Sequence, residues 1–105
     1  MKLRALLTVP TLSLSLQAGA ACVAPPPSEV PVVPEGSTAN AAEMHTAQQE
    51  VNAYVAAIEQ FLDCRGARLP SGVYNGLVMR AEGAAEDYNA ALRTYMSRQS
   101  TVAEN

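Results

Sequence analysis

The sequence predicts an all-α fold: an antiparallel two-helix hairpin preceded by an extended, proline-rich N-terminal arm. Three observations carry it. Apolar residues recur every seven positions in two long segments, the mark of a helical stripe. A short Gly/Pro-containing stretch, "RGARLPSG", separates the two segments. Five prolines crowd the 14 residues "VAPPPSEVPVVPEG" before the first of them, and proline removes a donor and fixes φ. With 105 residues the chain has room for one small domain.

Residues 1–21 are expected to lie outside that domain. Lys2 and Arg4 precede a 12-residue apolar run, "ALLTVPTLSLSL", and small residues follow in "AGAAC". That order is a secretory signal peptide, and the run is too short to span a bilayer as a helix. Pro10 interrupts the helix that such a run forms. Residues 22–105 hold five arginines against ten carboxylates, a net charge of −5. An acidic surface repels phosphate backbones and anionic lipid, so nucleic acid is excluded as the expected partner. With one Phe and no Trp, the core is expected to be lean, and a domain this small usually needs a staple or a partner subunit.

The arm is read as residues 22–39, extended and polyproline-like, and the helical hairpin as residues 40–99. Asn40 caps the first helix, with Glu43 three residues later to close a capping box; Ser37 or Thr38 is the alternative cap. The helix runs from about residue 40 to Cys64. Its stripe is Met44, Val51 and Ile58, then Ala47, Tyr54 and Phe61, with Val55 and Leu62 widening it. Gly66 offers a left-handed C-cap, Arg65 complements the helix C-terminus, and Pro70 with Ser71 starts the second helix.

The second helix is expected over about residues 71–98. Tyr74, Ala81, Tyr88 and Tyr95 lie seven apart, joined by Leu77, Val78, Ala84, Ala85, Ala91 and Leu92. The echo of "YNGL" at 74–77 in "YNAA" at 88–91 spans two heptads and follows from one packing period. Residues 100–105 are expected to be a frayed tail. The short connection makes the helices antiparallel neighbours. Glu43 and Glu50 are expected near Arg93 and Arg98, with Arg65 and Arg68 nearer Glu82.

Alanine lets the two axes approach but buries little area per turn, and Gly76 and Gly83 each weaken the second helix by about 1 kcal/mol relative to alanine. The two glycines share one face. Either they are tolerated weak points, or the arm or a second subunit packs on that smooth strip.

Two cysteines, Cys22 and Cys64, leave two readings open. In an oxidising compartment an even count favours a bridge. The arm, about 55 Å when extended, is long enough to run back along a first helix of about 36 Å and reach Cys64. The closed loop contributes on the order of 4 kcal/mol. The rival is lipidation of Cys22 after a lipoprotein-type signal. Gly19 stands where that signal carries a large aliphatic residue, whereas Ala18 and Ala20 fit an ordinary A-x-A cleavage. Lipidation would leave Cys64 unpaired, while a proline-rich tether after the cysteine suits a lipoprotein.

No chemistry is legible. His45 is the lone histidine and, with Glu43, lacks the second His or Cys that a zinc or copper site needs. No nucleophile elbow or phosphate loop is present. Cys22 and Cys64 are too far apart for a CxxC redox pair. The expectations are therefore no catalytic residues, no metal ligands and no cofactor. The tyrosines at helical spacing are read first as seam packing. The candidate interaction face comprises Tyr54, Tyr74, Gly76, Gly83, Tyr88 and Tyr95, since phenols combine apolar area with a hydrogen-bonding tip.

Cys22, Pro25, Pro31, Pro34 and Gly36, then Glu43, Met44 and Gln48, then Phe61, Leu62 and Cys64, then Asn75, Tyr88 and Asn89 form a connected pattern. It resembles a group of small exported bacterial proteins of unknown function. Those have a signal peptide, a Cys with spaced prolines, a helix ending in aromatic-Leu-x-Cys, and a second helix with Tyr-Asn-Ala repeats. The resemblance covers almost all of the chain after the signal. It implies no activity, and it favours pairing of Cys22 with Cys64.

The sequence thus leads to an exported, non-enzymatic helical protein of the periplasm, cell envelope or exterior, structural or interacting, through a helical face or self-association. The second reading is a lipid-anchored envelope protein attached through Cys22, and the third a small binding module using the tyrosine face.

Overall fold

The computed structural model describes residues 24–104, and the side chains of residues 24–102. The expected signal peptide and Cys22 lie outside the described residues. Among the described residues the fold is all-helical, two helices packed against each other, with no strand. Helix α1 spans Ala41–Arg65, a single 3-10 turn spans Gly66–Arg68, and α2 spans Ser71–Glu104.

Local chemistry sets the first boundary. Asn40 is extended, at φ −91° and ψ 172°, and its Oδ1 accepts the Glu43 backbone N–H at 2.8 Å. The Glu43 carboxylate accepts from Asn40 Nδ2 at 2.8 Å, so cap and acid hold each other through their side chains. Before the cap, the Glu35 carbonyl accepts from the backbone N–H of Thr38 at 3.1 Å and of Ala39 at 2.9 Å, a turn that feeds the arm into α1.

The connection differs from the expected one. Gly66 is right-handed, at φ −55° and ψ −39°, rather than a left-handed cap. The chain tightens directly into the 3-10 turn without a reversal of φ: Gly66 N–H still donates to the Leu62 carbonyl, and Leu69 N–H donates to the Gly66 carbonyl at 3.2 Å. Space is what Gly66 supplies: a Cβ there would stand 2.7 Å from the Tyr74 ring. Pro70 then caps α2, its carbonyl accepting from Val73 N–H at 3.0 Å and Tyr74 N–H at 3.1 Å.

At its far end α2 runs past Arg98 to Glu104, where a frayed tail was expected over residues 100–105. "QSTVAE" contains no Gly or Pro to stop propagation, and the Thr101 hydroxyl donates to the Ser97 carbonyl at 3.1 Å.

The core is the seam. Met44, Ala47, Val51, Tyr54 and Ile58 of α1 meet Leu77, Ala81, Ala84 and Tyr88 of α2, closed at one end by Ala39 of the arm. Ile58 is fully enclosed. Val55, Phe61 and Leu62, expected on the stripe, are only half-buried at its flanks.

Candidate functional site: a covered flank and an open flank of the helix seam

A two-helix seam has two flanks, and the described arm covers one of them. At its downstream end Arg98 reaches back from α2 and donates to two arm carbonyls, Ser37 at 2.6 Å and Ala39. Its guanidinium also lies over the Tyr95 ring, 5.3 Å from the centroid. One turn of α2 further back, Gly36 is buried against the backbone. A Cβ at Gly36 would stand 2.0 Å from the Ala91 carbonyl oxygen and 2.9 Å from Tyr95 N. No glycine among the described residues has positive φ, so Gly36 is there for close approach, not for conformational freedom. Val33 packs onto the core.

At the upstream end Arg80 donates to the Pro27 carbonyl at 2.7 Å and the Ser28 carbonyl at 3.3 Å. Its guanidinium lies 5.8 Å from the centroid of the buried Tyr54 ring. The arm therefore runs parallel to α2, from the level of Arg80 to the level of Arg98. These arginines are 18 residues apart on α2, a rise of about 27 Å. An extended segment from Pro27 to Gly36 covers about the same length.

Both arginines turn to the arm, so the expected pairing of Arg98 with Glu43 or Glu50 is replaced by carbonyl contacts. An extended arm leaves backbone carbonyls without N–H partners of its own, at the prolines for Arg80 and in the turn before α1 for Arg98, and an arginine fork satisfies two of them at once.

The candidate tyrosine face is dispersed. Tyr54 and Tyr88 are in the core. Tyr95 lies half-buried under Arg98 beside the arm. Tyr74 remains 39% exposed against Gly66. Gly76 and Gly83 point elsewhere: a Cβ at either would meet nothing within 4 Å, so the described part of the arm does not use their strip. The Tyr54 hydroxyl is buried and has no hydrogen-bond partner among the described residues. A seven-residue repeat drifts by about 20° per heptad on a straight helix, so Tyr88 meets α1 while Tyr74 and Tyr95 fall to the edges of the stripe.

The opposite flank is open. A groove of about 350 Å³ runs between the helices near the connection, floored by Val55, Ile58, Leu62, Val78, Ala81 and Ala85. Glu59 and Asp63 of α1 and Glu82 of α2 form its rim. It continues as a second hollow of about 530 Å³ over Val51, Tyr88 and Leu92, rimmed by Gln48, Asn52 and Asn89. Val55, Glu59 and Ala85 line both stretches. Val55 and Leu62 were legible in the sequence as the widening of the stripe. That their side stays uncovered was not, because periodicity does not say which flank the arm takes.

His45 is exposed on α1. Among the described residues no group of three or more His, Cys, Asp or Glu is arranged to hold a metal ion, and no helix is long and apolar enough to cross a membrane. Cys64 lies half-buried one residue before the end of α1 and is not a free thiol. Comparisons with protein-family models, with curated proteins and with solved structures find no match to this chain.

Proposed function

We propose that this is an exported, non-enzymatic interaction protein: a helical hairpin stapled by its own arm on one flank and presenting the other to a partner. The observation that carries the reading is the open apolar groove itself. Half-buried Val55, Leu62, Val78, Ala85 and Leu92 form one continuous apolar floor that a partner's apolar stripe would bury.

The staple is proposed as a Cys22–Cys64 disulfide. Five residues separate Pro27 from Cys22, about 15 Å of extended chain. Ten separate Tyr54, which faces the same clamp, from Cys64, a rise of about 15 Å along α1. The arm is already parallel to α2 at Pro27, and an equally extended continuation would be long enough to bring Cys22 level with Cys64.

The lipid-anchored alternative attaches the same hairpin to an envelope membrane through Cys22, and intact mass of the exported, non-reduced protein separates the two. A mass two daltons below the reduced chain that starts after residue 20 or 21 supports the bridge. A diacylglyceryl addition at Cys22 overturns it in favour of the anchor. The interaction reading has its own test: photo-crosslinkers placed at position 78, in the groove, and at position 76, on the outer face, in exporting cells. Discrete crosslinked species from 78 and none from 76 support it. Silence at both positions sinks it.

A further inference from the structure

The groove's composition says what kind of partner fits. We propose that it docks a cationic amphipathic helix of another protein, with the helix's apolar stripe on the floor and its Lys or Arg side chains reaching the acidic rim; this rests on the interaction reading above. The floor runs from Tyr74 to Leu92, 18 residues of α2 and about 27 Å, room for about five turns of an added helix. Such a helix would complete the seam as a third helical layer opposite the arm.

The rim decides the sign. Glu59 and Asp63 lie one helical turn apart on α1, and Glu82 stands across from them on α2, so carboxylates flank the groove on both walls. Each of the three is solvent-exposed. The rest of the rim, Gln48, Asn52 and Asn89, is neutral. Lysine and arginine stems extend along apolar surface while their heads reach outward to such carboxylates.

A second copy of this chain is a poor occupant on the same chemistry. Arg80 and Arg98 are committed to arm carbonyls on the other flank, Arg65 is already engaged, and the two other exposed arginines, Arg68 and Arg93, are outnumbered by ten carboxylates. Two copies would each bring a net negative surface to the same seam. The partner must supply the cations that this chain has turned away from its own groove.

The test uses the exported, non-reduced protein and two synthetic 14-residue helices of identical pattern, one of Leu and Lys, the other of Leu and Glu, followed by calorimetry and by amide chemical shifts. The Leu/Lys peptide should bind with shifts concentrated at Val55, Val78 and Ala85, and the Leu/Glu peptide should not. The triple change Glu59→Gln, Asp63→Asn, Glu82→Gln, confined to exposed positions, should weaken binding about tenfold, three exposed ion pairs at about 0.5 kcal/mol each.

Val78→Asp separates docking from general attraction. It adds a negative charge yet ruins the floor, so binding should be lost. Binding retained or tightened by Val78→Asp overturns the proposal, as do shifts centred on the arm or the Gly76–Gly83 strip. So does an unchanged affinity in the triple variant, which also serves if Val78→Asp does not fold. A dimer in sedimentation that Val55→Asp converts to monomer would assign the groove to a second copy instead. Failure of the peptide alongside crosslinks at position 78 removes the cationic helix and leaves the interaction reading standing. Failure of both removes both.

Discussion

A single methyl group on Gly36 would collide with the Ala91 carbonyl oxygen, so that glycine is where the arm is most finely fitted. Gly36→Ala should lower stability by about 1–3 kcal/mol, the cost of forcing extra volume into a closed contact. Thermal unfolding measures it, and an unchanged midpoint would mean that the arm is not seated there. Arg98 is the arm's partner in the same turn. Arg98→Met leaves the Ser37 and Ala39 carbonyls without their charged donor and should cost about 1.5–3 kcal/mol. Amide exchange should then accelerate along the arm before it does in the seam. Tyr54 divides differently. Its ring is core, so Tyr54→Ala should cost about 3–5 kcal/mol. Its hydroxyl is buried without a partner, so Tyr54→Phe should leave stability unchanged or raise it by about 1 kcal/mol. A clear loss with Phe would show that the hydroxyl has a role that this packing does not reveal.

At the level of elements, α2 is weaker than it needs to be. Gly76 and Gly83 occupy helix interior positions with right-handed backbone and nothing within 4 Å of an added Cβ. Gly76→Ala and Gly83→Ala should each raise stability by about 0.5–1 kcal/mol, through lower chain entropy in the unfolded state and better helix propensity. Their effects should add, since neither touches a shared neighbour. A loss of stability in the double variant at high protein concentration, but not at low, would point to a copy packed on that strip. The helices themselves were legible in the sequence. Asn40 and Glu43 mark the start of α1, and Met44, Val51 and Ile58 mark its inward face, because caps and heptads are local chemistry. The handedness of Gly66 and the continuation of α2 to Glu104 were not. A glycine permits several conformations, and its neighbours choose among them; a helix with no breaker in its path simply continues.

For the whole molecule, the arm is the third layer that a lean seam requires. It meets the hairpin through Ala39, Gly36, Val33 and two arginines, all on one flank. If Cys22 is tied to Cys64, a loop of about 40 residues is closed, and reduction or Cys64→Ser should lower stability by about 4 kcal/mol. Denaturant titration in oxidising and reducing buffer reads this directly. Coincident midpoints would remove the staple and leave the arm held by Gly36 and the arginines alone. Covering one flank also has a consequence for the other. With the arm held against α2 by Arg80 and Arg98, nothing in residues 24–104 is placed over Val55 and Val78, and the acidic groove is what the described residues leave open.

The sequence by itself determined two helices, their cap, their inward faces and an excess of acid, because periodicity, capping and charge are read within a few residues of chain. Only the tertiary structure decided that Arg80 and Arg98 hold carbonyls rather than carboxylates, and which flank stays open. Those outcomes depend on contacts between residues 52 to 61 positions apart, where an extended arm without a repeat of its own leaves no local trace of where it will lie.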